Sequence, residues 1–384
     1  MHLTSEIARQ IAKEQVPLTF NGYTSIDDDA AQLVAKKHGQ LTFPDLEEIS
    51  QKAAEYFSKH RGFLELTGLR EISAEALRHL TKGKVSLTIG TLDTLSDEVA
   101  QVLGSYDGNL TLGLRNLSES VAKGLSSHHG EELALYGFTE MSDEAARLIA
   151  ERKGELLAII DLKRLTPAAA EAIFKKGCEV HLPRVQELCY EAAEHLSKFR
   201  GEIYLNTLPH LSNWTAEALS GGKADLFLEG LTEINKSVAY SLSKHQGHLD
   251  LSGLKELPPE IAAALITRWE RHDYRFIGLC LDGLTELSDQ TAEILSHYPG
   301  SSLSLNGLKT FSPSVARFLA RSKCNLALFG LEGLCDDAAK AFAKYTRRID
   351  RMTAKEFVAR LGRMMRRDPR ESERINSHPR LGDH

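Results

Sequence analysis

The chain carries fifteen histidines and five cysteines, the residue types that most often do acid–base, metal or nucleophilic chemistry. Their spacing argues against it. His38, His60, His129 and His245 recur near the ends of predicted helices, where an imidazole can serve the last carbonyls and the negative end of the dipole. Cys178, Cys189, Cys280, Cys324 and Cys335 are odd in number, form no CxxC pair and show no metal-knuckle spacing. They read as free thiols in a reducing compartment. Cys189 and Cys335 fall at predicted helix starts, where a thiolate is favoured, yet no base neighbours them, and each reads as a small residue standing in for Ser. There is no GxSxG, P-loop, HExxH or spaced acid pair, and Gly221-Gly222 reads as a helix end rather than a phosphate loop. The expectation is a chain without enzymatic activity, metal or cofactor.

The elements that would position any functional side chain come from a repeat. LTFNGY from Leu18, LELTGL from Leu64, LTLGL from Leu110, LALYGF from Leu133 and LFLEGL from Leu226 share one apolar alternation. LDLSGL from Leu249, LCLDGL from Leu279, LSLNGL from Leu303 and LALFGL from Leu326 continue it, with weaker copies at Leu41, Val85, Leu157, Val180 and Ile203. These are fourteen units, most of them 23 residues apart. Each opens with a period-two segment, the mark of a short strand with one buried face. A helix start follows at Asp27, Ser50, Ser73, Ser96, Ser118, Ser142, Thr166, Cys189, Ser212, Asn235, Pro258, Ser288, Ser312 and Cys335. Eleven of the fourteen are Asp, Ser, Thr or Asn, the side chains that accept from free N–H groups of a first turn. Acids follow at Asp97-Glu98, Asp143-Glu144 and Asp336-Asp337, and prolines at Pro167 and Pro313. A strand this short cannot bury its face alone, so neighbouring units must stack, strands on one side and helices on the other. Strands pack closer than helices, so the stack is expected to bend into an arc with the sheet inside.

This pattern, over about residues 17 to 346, resembles the leucine-rich-repeat family in a short-period, helix-bearing bacterial form. The resemblance implies an α/β solenoid and macromolecular recognition without naming a ligand. One departure is plain. The Asn or Cys that the family places after the second strand leucine is here Leu69, Leu114, Phe138, Leu162, Leu231 or Leu308, so the usual Asn ladder is absent.

Forty-seven Lys and Arg against 53 Asp and Glu leave −6, which disfavours a generic nucleic-acid or anionic-lipid binder. No apolar run is long enough for a membrane span and the start has no secretory h-region, so a cytoplasmic protein is expected. Residues 1–16 match the helical half of a repeat, with Thr4 as cap, and read as an end cover or as the edge of a longer array. From Arg347 onward eleven basic residues face six acidic ones, a net of +5, leaving −11 on the rest. Residues 347–367 read as a basic amphipathic helix. It is either a cap over the last unit or a docking segment in which Arg363, Arg366 and Arg367 meet anionic lipid or nucleic acid. Residues 368–384 are expected to be disordered.

Binding is the better question, and it falls on strand residues that point away from the core. Most are small or neutral. Tyr136, Ile160, His181, Tyr204 and Phe227 are bulky and consecutive, with Arg184 and Asn206 beside them. A contiguous exposed patch of this kind on a concave face suits a protein partner, unless the repeats have simply drifted there. The 30-residue step from Leu249 to Leu279 inserts a loop with Trp269 and Tyr274, either a rim contact or a loop folded back on the helices.

Overall fold

The computed structural model describes residues 1–13, 17–92, 95–175, 179–267 and 278–364, with side chains followed to residue 361. Contacts group the chain into two units, Met1–Asn206 and Thr207–His384. Among the described residues fourteen parallel strands follow the fourteen repeats, nine in the first unit and five in the second.

In the first unit Leu18, Leu41, Leu64, Leu87, Leu110, Leu133, Leu157, Val180 and Ile203 lie side by side in register. In the second unit Leu226, Leu249, Leu279, Leu303 and Leu326 do the same. None is more than 3% exposed, because each is roofed by its own helix and flanked by its neighbours. One unit corrects the sequence reading: Leu87, not Val85, is the register residue. Val85, Leu87 and Ile89 alternate over three apolar positions, so the pattern alone admits either start. With Leu87 in register both neighbouring steps are 23 residues, and the pairing with the next strand then shifts between Ile89 and Thr91, at Gly90, where a Cβ would meet the Thr67 carbonyl at 2.0 Å.

All fourteen expected helix starts are the observed N-caps, from Asp27 before Asp28–Ala35 to Cys335 before Asp336–Phe342. Ser50, Ser73, Ser96, Ser118, Ser142, Thr166, Ser212, Asn235, Ser288 and Ser312 accept from the backbone N–H three residues on. Cys189, Pro258, Cys335 and Asp27 cap without a side-chain bond. The short pairs behind them, such as Ala30-Ala31, Ala145-Ala146 and Ala192-Ala193, are fully buried and let the helices sit close to the sheet.

The missing Asn ladder has a substitute. Leu69, Leu114, Phe138, Leu162, Leu231 and Leu308 are buried and apolar. The polar ladder stands instead ten positions after the cap, in His60, Tyr106, His128, Arg152, His245 and Tyr345. Each donates to a carbonyl at or just ahead of the start of the preceding repeat's strand. His60 Nε2 donates to Gly39 at 2.9 Å, His128 Nε2 to Gly108 at 3.0 Å and His245 Nε2 to Ala224 at 2.8 Å. Tyr106 donates to Val85, Tyr345 to Cys324, and Arg152 to Gly130 and Glu131. Arg152 Nε also donates to His128 Nδ1 at 3.2 Å, which fixes the proton of that imidazole on Nε2. Two histidines depart from the expected helix ends: His38 opens the strand His38–Thr42, and His129 is exposed while its neighbour His128 takes the buried place.

At the amino end His2–Leu3 pairs in parallel with Ser25–Ile26, and the helix Ser5–Ile11 starts at Thr4. At the other end the helix expected over 347–367 is observed over Ala354–Met364, with Ile349 bridging to Leu326 ahead of it. Asp350 and Arg351 hold positive φ there, at 50° and 64°. The Asp350 carboxylate holds that turn, accepting from Leu328 N–H at 2.6 Å and Arg360 at 2.7 Å. Burial pushes its pKa up, while those two donors oppose the shift. Ile349, Ala354, Phe357 and Leu361 are buried, and the Phe357 ring meets Phe342 at 6.0 Å.

Candidate functional site on the strand face

In the first unit the residues flanking each inward leucine point to the open side of the sheet. His181 and Tyr204 are register partners on adjacent strands, and their rings meet edge to face at 4.5 Å. Each is held by an acid two residues back, which the pleat places on the same side. His181 Nε2 lies 2.5 Å from Glu179, and the Tyr204 hydroxyl donates to Glu202 at 2.5 Å. Tyr136 reaches across the sheet to donate to the Ile89 carbonyl at 3.0 Å. It is half-buried, and burial followed by the nearby Asp161 charge raises its pKa. Asp161 accepts from Gly137 N–H at 2.8 Å and from Arg184 at 2.7 Å, so this carboxylate ties three successive turns together. Gly137 adopts φ 92°, open to glycine at little cost.

Ile160 is partly exposed, and its N–H donates to Leu135. Asn206 is partly exposed with its Oδ1 buried and without a hydrogen-bond partner. The structure thus gathers Tyr136, Ile160, His181, Arg184, Tyr204 and Asn206 in the first unit. Phe227 belongs to the second, tilted against His248 at 5.8 Å. Trp269 and Tyr274 lie outside the described residues, as do Arg366 and Arg367, and Arg363 is described only as part of the last helix.

The acids Glu179 and Glu202 escaped the sequence reading, although the period of two places them beside His181 and Tyr204. The most exposed rings also lie elsewhere: Trp214 at 74%, Phe63 at 60% and Phe329 at 57%. Trp214 and Tyr240 border a groove of about 880 Å³ on the helices of the second unit, with Glu217, Ser241, Ala263 and Thr267.

For chemistry the face offers little. His181 and Glu179 make an acid–base pair, to which no hydroxyl or thiol is bonded among the described residues. Among the described residues no three His, Cys, Asp or Glu side chains converge as a metal site would require. Cys280 is buried against Asp250 and Asp282, and burial first, then those charges, push its thiol up to about 12. Burial likewise lifts Cys324 to about 11, so both are protonated thiols at neutral pH.

Stacked strand–turn–helix units with register leucines on a parallel ladder define a leucine-rich-repeat solenoid of α/β type. No family model matches the chain, and no curated protein matches it. Solved structures do resemble it. A leucine-rich-repeat protein of Leptospira interrogans is 16% identical over 97% of this chain and 95% of its own, with a TM-score of 0.43. Toll in the Drosophila Toll–Spatzle complex is 13% identical over 77% of this chain and 42% of that one, at 0.42. The yeast Rad7–Elc1 complex is 11% identical over 91% and 78%, at 0.35. No helix among the described residues is long and apolar enough to cross a membrane.

Proposed function

We propose that the chain is a non-enzymatic recognition module that binds a protein partner through the strand face of its first unit. The observation that carries this reading is the His181–Tyr204 pair, two rings braced edge to face by Glu179 and Glu202 and still partly open to solvent. Bracing removes rotamer freedom before binding, which lowers the ordering cost that a partner would otherwise meet. Tyr136, Ile160 and Arg184 extend the patch, and Phe227 is a separate anchor in the second unit. Toll is seen in a complex with Spatzle and Rad7 in a complex with Elc1, which agrees with the reading.

Affinity capture from native lysate tests it, comparing the intact chain with His181→Ala/Tyr204→Ala. Both side chains lie outside the core, so folding should persist. The captured partner should bind the double variant at least tenfold more weakly, and unchanged affinity retires the site. Residues 347–364 act here as an end cap rather than as a docking arm. Phe357 and Leu361, the apolar stripe that a membrane or partner would need, are already buried. Truncation at Tyr345 would therefore uncover core.

A further inference from the structure

The helix face of the second unit gathers cations at one place. Five and nine positions after the cap, three repeats of the first unit carry an acid and then a lysine: Glu55 and Lys59 at 2.9 Å, Glu171 and Lys175, Glu194 and Lys198. Such pairs neutralise themselves. After Ser73 both positions are also cationic, with Arg78 paired to Glu75 and Glu98, but only in the last two repeats do two successive units carry cations at both positions. Arg317 and Arg321 follow Ser312, and Lys340 and Lys344 follow Cys335. The helices Pro313–Leu319 and Asp336–Phe342 are neighbours, so the four cations line one groove of about 810 Å³ together with Ala320, Ala341 and Ala343.

They are only partly compensated: the Arg317 charge acts on the Asp289 carboxylate of the preceding helix. Asp337 is the single acid among the lining residues, and its 3.3 Å pair with Lys340 is about three-quarters exposed and therefore weak. Arg317 donates Nε to the Pro313 carbonyl at 3.2 Å, and Arg321 lies over the Phe318 ring at 5.6 Å. A helix C-terminus favours one cation, as Lys59 and Lys198 illustrate, but does not account for four around one hollow.

We infer that this groove binds a compact, multiply phosphorylated anion. Arginine forks and lysine ammonium groups donate to phosphate oxygens, and several such donors at once suit a ligand with more than one phosphate. No aromatic ring lines the groove to stack a base, and the small alanines leave room for a bulky anion between the helices.

The test uses the full chain and sodium tripolyphosphate, titrated calorimetrically at about 50 and about 200 mM salt. Saturable binding that weakens with salt is expected. Arg321→Ala/Lys344→Ala should weaken it at least tenfold, whereas Lys59→Ala/Lys198→Ala, which removes equal charge elsewhere, should change it less than twofold. No saturable binding, or equal loss in both variants, overturns the site. Phosphatidylcholine vesicles doped with phosphatidylinositol bisphosphate identify the source. Retention that tripolyphosphate competes away indicates a lipid headgroup, and tripolyphosphate binding without retention indicates a free polyphosphate. Equal retention on phosphatidylserine vesicles without tripolyphosphate binding overturns the proposal in favour of a diffuse basic surface.

Discussion

His128 shows how one side chain in this array serves two repeats. Its Nε2–H satisfies the Gly108 carbonyl, while its Nδ1 accepts from Arg152, whose guanidinium also holds Gly130, Glu131 and Leu156. Burial, followed by the Arg152 charge, lowers its pKa to about 4. An unfolded histidine titrates near 6.5, so the unfolded chain binds the proton first as pH falls. Stability is therefore complete above about 6.5 and declines as pH drops toward 4. His245 has its pKa lowered in the same direction, chiefly by burial, and adds to the decline. Urea midpoints at pH 7 and pH 5 should differ, and His128→Gln should narrow the gap; an unchanged gap would mean that this imidazole is not the titrating group. His128→Ala should cost about 1 to 3 kcal/mol at pH 7, because a buried carbonyl loses its donor.

At the scale of the element, the helix starts carry the local information. Ten of the fourteen repeat caps close a side-chain bond, and removing one, as in Ser142→Ala, should cost about 1 kcal/mol in chemical denaturation. The cysteine caps invite the opposite experiment. Cys189 and Cys335 are exposed and make no cap bond, so Cys189→Ser should raise the unfolding free energy by up to about 1 kcal/mol, read as a higher denaturant midpoint. A lower midpoint would show that the thiol is engaged in something a hydroxyl cannot replace. These caps were legible in the chain because a cap and its partner N–H are three residues apart. The polar ladder was not, because its acceptors are backbone carbonyls one repeat away and carry no sequence signature. His129 was thus chosen over His128, and the tyrosines and arginine of the same ladder went unread.

For the molecule as a whole, the ends of the array decide whether its repeats stay closed. In the second unit Phe357 packs on Phe342, and Ile349 adds a bridge to the last strand. Phe357→Ala should cost about 3 to 5 kcal/mol and raise amide exchange first in the strands Ser302–Ser304 and Asn325–Ala327. Uniform loss of protection across the chain would instead mean that the cap is not the local support of these strands. The chain by itself determined the repeat, the count of fourteen, the cap positions and the inward leucines, because these depend on periodicity and contacts within one unit. Tertiary structure alone decided the Leu87 register, the ladder, the tether of Tyr136 to Ile89, the buried stripe of the last helix and the joining of Arg317, Arg321, Lys340 and Lys344 around one groove. Each of these is a contact between repeats or with an end segment, and its partner is a backbone group or a neighbouring surface that exists only once the units have stacked.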